Sequence, residues 1–269
     1  MTSIDLRLCR SLLFLPASSP RAIQKARSLP ADMIILDCED AVKEEDKDAA
    51  RIAAVEAVAD GFGGRSAAIR INGSGTRHYE ADLAAMRGSN AEFIVVPKAE
   101  DAQQMREVAG ATGKPLLAMI ETAAGVLNAA SIAAETRGLI AGTNDLAADL
   151  AIPPDAGRAG LAYSLQAIVL AARAARVAAF DGVHNKLEDE AGLREHCEEG
   201  RVFGFDGKSL IHPNQIEVAN GIFGPSEDQI DAARRLIEAA GGGAQRFEGR
   251  MIETMHVDQA RALLAKARL

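Results

Sequence analysis

Eight short apolar runs, most of them separated by a stretch of helical periodicity, limit what this 269-residue chain can fold into more than any other feature. The runs occupy 11–17, 32–37, 66–72, 93–97, 115–120, 138–142, 178–183 and 203–211. Helix-like segments lie at 20–29, 47–60, 79–87, 101–111, 125–135, 163–176 and 189–200. The runs are continuous rather than alternating, which is how strands buried on both faces read. Strands alternating with helices make right-handed βα units and a parallel sheet. The prediction is an α/β chain whose residues 1–224 close into a (β/α)₈ TIM barrel. An open doubly wound sheet is the alternative, and eight repeats weigh against it.

Residues 225–269 break the pattern and are read as a C-terminal helical extension, an arm or a lid. Ser226-Glu227-Asp228-Gln229 has the form of a capping box opening a helix to about Ala240. Gly241-Gly242-Gly243 stops it, an extended piece follows at 244–248, and a last helix runs from about Val257 to Lys266.

Apolar residues make up 48% of the chain, enough for a substantial core. No run approaches the ~18 residues a membrane span needs. The net charge of −8 lacks the basic footprint of a nucleic-acid binder. Cys9, Cys38 and Cys197 are odd in number and unpatterned, which disfavours a disulfide framework and suits a reducing cytoplasm.

In a barrel of this kind reactive residues sit at the C-terminal ends of strands. Glu121 ends one apolar run and Asp145 ends the next, so the two carboxylates should emerge side by side. Two hard oxygen donors with open positions suit Mg²⁺. The plain alternative is that each is a first-turn acid of a helix. Arg70 stands between Ile69 and Ile71, where a guanidinium needs an anion, and its fork matches a carboxylate. A structural ion pair with Glu39 or Asp40 is the other explanation. Glu39 and Asp40 are placed near the metal's waters. Arg21 and Lys25, four apart after Ser18 and Ser19, either hold phosphate at a helix N-terminus or form a solvated basic face. The remaining strand ends carry Asp37, Asn72, Lys98, Asn144, His184, Asn185, Lys208 and His212.

These segments resemble a known family. Residues 10–16 (RSLLFLP), 35–42 (ILDCEDAV), 69–72 (IRIN), 97–99 (PKA), 120–122 (IET), 142–150 (GTNDLAADL) and 204–213 (GFDGKSLIHP) are similar, in order and spacing, to motifs of citrate lyase β-subunit-like proteins. That group lies in the HpcH/HpaI aldolase and citrate lyase superfamily. The resemblance implies a TIM barrel that uses Mg²⁺ to break or form a carbon–carbon bond beside a thioester. It implies Glu121 and Asp145 as metal ligands, Arg70 on the keto-acid carboxylate, and Glu39 and Asp40 on metal-bound waters. Phe14, Arg21, Lys25, Ile211 and His212 are then directed toward the acyl-thioester carrier. It also implies a homotrimer or larger ring in which the C-terminal arm lends an acid to a neighbour.

The chain departs from the pattern in four places. The arm's acid is Glu253 where relatives carry Asp. One methylene displaces the carboxylate by roughly an ångström, which can cost ~10²-fold in rate. Asn144 stands where many relatives have Glu, Cys38 replaces a common Leu, and His184-Asn185 replaces an aromatic–Pro pair.

The expected activity is an Mg²⁺-dependent lyase. It would act on a malyl-, citramalyl- or citryl-like thioester of CoA or acyl-carrier protein, giving a 2-keto acid and an acetyl thioester. Asn144 is counted among the substrate-binding residues. Two alternatives remain open: a thioester-free pyruvate-type class II aldolase, and a β subunit working within a citrate lyase complex.

Overall fold

The computed structural model describes residues 5–267. Its first eight strands close into one parallel barrel in sequence order. They are β1 (Ser11–Pro16), β2 (Met33–Asp37), β3 (Ser66–Arg70), β4 (Phe93–Val96), β5 (Leu116–Ile120), β6 (Gly138–Ala141), β7 (Ala178–Asp181) and β8 (Gly207–Leu210). The helices are α1 (Pro20–Ala26), α2 (Lys47–Asp60), α3 (Tyr79–Gly88), α4 (Ala102–Thr112), α5 (Ala123–Leu127), α6 (Ala129–Ala133), α7 (Thr143–Asp149), α8 (Ala162–Ala175), α9 (Glu190–Phe203), α10 (Ile216–Phe223), α11 (Glu227–Ala239) and α12 (Thr254–Lys266). A two-stranded antiparallel piece, β9 (Gln245–Phe247) with β10 (Arg250–Ile252), sits between the last two helices.

The barrel strands are buried on both faces, and their side chains divide by the period of two. Leu12, Met33, Ile35, Ala68, Val95, Leu117, Met119, Ile140 and Phe180 form the inner cluster. Their sequence neighbours, such as Leu13, Ile34, Leu36, Ile69, Ile94 and Ile120, pack outward against helix residues including Val108, Ile132, Leu165 and Ile168. Each fully buried Leu or Ile contributes ~1.5–3 kcal/mol of transfer free energy, so both layers count. The alternation also fixes which way a strand's last residue points. Asp37 and Arg70 lie two positions past Ile35 and Ala68, and Glu121 lies two past Met119. All three continue the inner face at the C-terminal mouth.

Several elements differ from their predicted bounds. The run 203–211 is mostly helix end and turn; Gly204, at φ +97°, terminates α9 and only Gly207–Leu210 is strand. The helix predicted over 125–135 is two short ones parted at Asn128. Asn144 and Asp145 are not a strand end but the first turn of α7. α10 replaces what the apolar pattern left unassigned. The Ser226 capping box is present, and α12 begins at Thr254, three residues earlier than expected. Beyond the barrel, Ala233, Leu236, Ile252 and Ala260 make a separate apolar cluster. Among the described residues no helix is long and apolar enough to cross a membrane.

Candidate active site

A cavity of about 370 Å³ opens at the mouth, where the C-terminal strand ends converge. Of the residues singled out in the sequence, Phe14, Asp40, Arg70, Glu121, Asn144, Asp145 and Ile211 line it. Glu39 stands beside Arg70, its Oε2 3.2 Å from Nη1.

Arg70 is held from several sides. Its Nε and Nη2 donate to Asp37 Oδ1 and Oδ2 at 2.7 and 2.5 Å. Asp37 is the cross-strand partner of Arg70 in the β2–β3 register, which is why the two meet. The Phe14 ring lies 5.4 Å from the guanidinium carbon, and Nη1 is 3.6 Å from the Met119 sulfur. The fork is therefore committed to Asp37, and the Nη1 edge is the one left toward Glu39, Asp40 and the cavity. Burial works against this charge, but Asp37 outweighs it and raises the guanidinium above its ordinary value. The paired acid is Asp37 rather than Glu39 or Asp40 alone; Asp40 is 3.6 Å away and mostly exposed.

Glu121 is buried, and its Oε1 accepts the backbone N–H of Lys98 at 2.7 Å. Its carboxyl lies directly over Gly142; a Cβ there would overlap both Glu121 Cβ and Oε2. Glycine at the β6 exit is thus what lets the β5 carboxylate cross to the β6 side. Asp145, half exposed on the first turn of α7, faces it, with Lys98 Nζ 3.9 Å from Oδ2. Burial pushes Glu121 up to about 7, with Asp145 and Asp40 adding repulsion against the Lys98 amide and Arg70. Burial likewise pushes Glu39 up to about 8, with Arg70 opposing and Asp40 and Glu121 adding to it.

The donor set fits a divalent cation. Glu39, Asp40, Glu121 and Asp145 converge on one mouth beside Asp37, whose oxygens are taken by Arg70 and by the Glu39 and Ala41 amides. Glu39 Oε2 is buried without a hydrogen bond, since its 3.2 Å approach to Arg70 lacks hydrogen-bond direction. No cluster of three or more His, Cys, Asp or Glu with ligand geometry occurs among the described residues. Two protein carboxylates completed by water and ligand oxygens is the coordination typical of Mg²⁺, whereas zinc sites usually take three or four protein ligands rich in His and Cys.

Other predicted residues lie off the cavity. Arg21 and Lys25 are exposed on α1, a seven-residue helix whose N-terminus is capped by Ser19 Oγ on the Ala22 amide. His212 packs its Nδ1 2.7 Å from Asn214 Oδ1 at the turn after β8. Glu253 is on the C-terminal segment, its backbone N–H donating to His256 Nδ1, and does not line the mouth of its own chain. Lys208 faces outward from the barrel and is ion-paired with Asp181.

Other polar residues at the mouth carried no role in the sequence reading. Asp37 was a strand-end acid without a partner, and Lys98 a strand-end base without a role. Asn144 and Asn185 form a reciprocal amide pair across the β6 and β7 exits, at 3.2 and 2.7 Å. Lys47 ties the Cys38 and Glu39 carbonyls to Asn72, which holds the β2 exit loop in place.

Comparison with known proteins places this site in a family context. A model of the HpcH/HpaI aldolase/citrate lyase family matches residues 10–213. A (3S)-malyl-CoA thioesterase from Cereibacter sphaeroides is 44% identical, over 96% of this chain and 94% of that protein. The citrate lyase subunit beta of Leuconostoc mesenteroides subsp. cremoris is 35% identical over 97% of this chain and 94% of its own length. Among solved structures, protein CitE from Mycobacterium tuberculosis in complex with magnesium, acetoacetate and coenzyme A superposes with a TM-score of 0.82. It is 35% identical, with 98% of this chain and 100% of that one covered.

Proposed function

Because the chain belongs to the HpcH/HpaI aldolase/citrate lyase family, we propose that it is a magnesium-dependent carbon–carbon lyase. Its substrate is a 3-hydroxyacyl thioester of malyl, citramalyl or citryl type, carried on CoA or an acyl-carrier protein. The observation that carries the reading is the pairing of Glu121 and Asp145 opposite the fixed Arg70 in one small cavity. A relative with magnesium, acetoacetate and coenzyme A bound supports the same ligand classes here.

Glu121 and Asp145 hold the cation, with Glu39 and Asp40 placed toward its waters. Bound there, Mg²⁺ supplies Lewis-acid polarisation of the substrate's hydroxyl or carbonyl oxygen. Arg70 Nη1 receives the substrate carboxylate and fixes the hydroxyl-bearing carbon. Phe14 and Ile211, on the β1 and β8 side of the cavity, flank the acyl thioester. Loss of the hydroxyl proton to a base turns that carbon into the keto-acid carbonyl as the carbon–carbon bond breaks. The bonding pair passes to the acetyl-thioester enolate, which an acid then protonates at carbon. Glu253, outside the cavity of its own chain, is the acid a second copy brings, in a homotrimer or larger ring.

A second reading is hydrolysis of the thioester, favoured by the 44% identical relatives named (3S)-malyl-CoA thioesterase. Purified full-length chain with Mg²⁺ and (3S)-malyl-CoA separates the two. Cleavage yields glyoxylate and acetyl-CoA in equal amounts without free thiol, and chelation or Glu121→Ala abolishes it. Free CoA and malate without glyoxylate establish hydrolysis instead. No product from malyl-, citramalyl- or citryl-CoA, nor from the same acyl groups on acyl-carrier protein, overturns both.

A further inference from the structure

Lys98 touches both carboxylates of the candidate cation site from opposite ends of itself. It follows β4 and Pro97, and its backbone is left-handed, at φ +45°, a region that L side chains adopt only at a cost. That conformation is over-determined by its neighbours. The Ala99 amide donates to the Met119 carbonyl at 3.0 Å, lacing the β4 exit to β5. Gly125 allows the Ala99 carbonyl to approach so closely that a Cβ on residue 125 would overlap it. The twist at 98 aims its N–H at Glu121 Oε1, 2.7 Å away. The side chain then runs along the mouth, 54% exposed, to bring Nζ within 3.9 Å of Asp145 Oδ2.

We propose that Lys98 is the positioning residue of the carboxylate pair and sets its affinity for divalent cation. This rests on Glu121 and Asp145 being the cation's ligands. The amide fixes one oxygen of Glu121 so that the other is presented over Gly142. The ammonium neutralises Asp145 while the cation is absent and repels the cation when it arrives. A half-exposed pair at 3.9 Å is weak and readily displaced by a doubly charged ion. Arg70 does not compete for this role, because its fork is closed on Asp37.

The test is Mg²⁺ titration of the full chain by calorimetry in low salt, for wild type, Lys98→Met, Lys98→Arg and Glu121→Gln. Methionine keeps the unbranched stem and the backbone demand but loses the charge. A unit charge a few ångströms from the ion implies that Lys98→Met binds Mg²⁺ about tenfold more tightly, a gap that narrows as salt screens it. Lys98→Arg keeps the wild-type constant. Lys98→Asn, whose side chain tolerates the left-handed region, gives the same tightening where the methionine variant folds poorly. Equal constants for wild type and the uncharged variants, with binding lost in Glu121→Gln, overturn the inference and leave the site intact. Absence of saturable Mg²⁺ binding by the wild type, or its survival in Glu121→Gln, overturns both.

Discussion

Lys208 Nζ and Asp181 Oδ2 meet at 2.6 Å on the outer wall of the barrel, and neither side chain is reached by solvent. Asp181 also accepts Arg158 at 3.0 Å and lies so close to Gly200 of α9 that a Cβ there would crowd it. Arg158 in turn pairs with Glu199. Burial opposes the Asp181 charge, but Lys208 and Arg158 overcome it and hold the carboxyl below its ordinary value. Lys208→Met removes one partner and leaves a buried carboxylate half compensated, a loss of ~3–5 kcal/mol. Urea denaturation checks the size. The Michaelis constant of the surviving folded fraction stays at the wild-type value, because Lys208 faces away from the cavity.

Asp37→Asn acts on the chemistry instead. An amide presents an N–H where Arg70 needs an acceptor, so one of the two bonds at 2.7 and 2.5 Å is lost and Nη1 shifts. Displacement of about an ångström lowers turnover ~10²-fold. Steady-state kinetics show it, with far-ultraviolet circular dichroism unchanged.

Gly142→Ala places a methyl group where Glu121 now lies. Glu121 has to rotate out of its contact with the Lys98 amide or β6 has to shift. Mg²⁺ affinity falls about tenfold or more, an expectation scaled to the loss of one charge-assisted contact. Displacement of bound Mn²⁺ by Mg²⁺, followed by electron paramagnetic resonance, measures it.

Acidity gives a fourth expectation. Glu39 and Glu121 are raised from the ordinary 4.5 to about 8 and about 7. Between 4.5 and those values the folded chain retains protons that the unfolded chain has released, so stability declines as pH rises through that window. Below 4.5 both states are protonated and the penalty is absent. Mg²⁺ binds the ionised form and offsets the decline. Denaturation midpoints at about pH 5 and about pH 8, in chelator and in Mg²⁺, should therefore diverge most at the higher pH. The Glu39→Gln, Glu121→Gln double variant should lose this dependence; an unchanged slope would remove these two acids as its cause.

The barrel was legible because strands covered on both faces leave continuous apolar runs, and β1–β7 fall where those runs lie. The eighth run misled because Phe203, partly buried at a helix end, and Phe205, buried in a loop, are apolar for reasons other than strand, and apolarity alone does not separate these. Glu121, Asp145 and Arg70 were visible as charges ending apolar segments. That Asp145 reaches the mouth from a helix turn rather than a strand was visible only as the alternative, since the seven-residue α7 is too short for its period to decide. Asp37 and Glu39 are both acids near the same strand end, and only the β2–β3 register decides which one Arg70 takes. The contact of the Lys98 amide with Glu121 leaves no side-chain signature at all.

The guanidinium at position 70 has consequences beyond its charge. Asp37 grips one edge, the Phe14 ring flanks it and the Met119 sulfur sits beside Nη1. An arginine side chain carries ≈ 2 kcal/mol of rotamer entropy, and here that freedom is surrendered when the chain folds. An arriving anion meets a cation already immobile, so its own binding energy goes to holding the anion rather than to ordering the host.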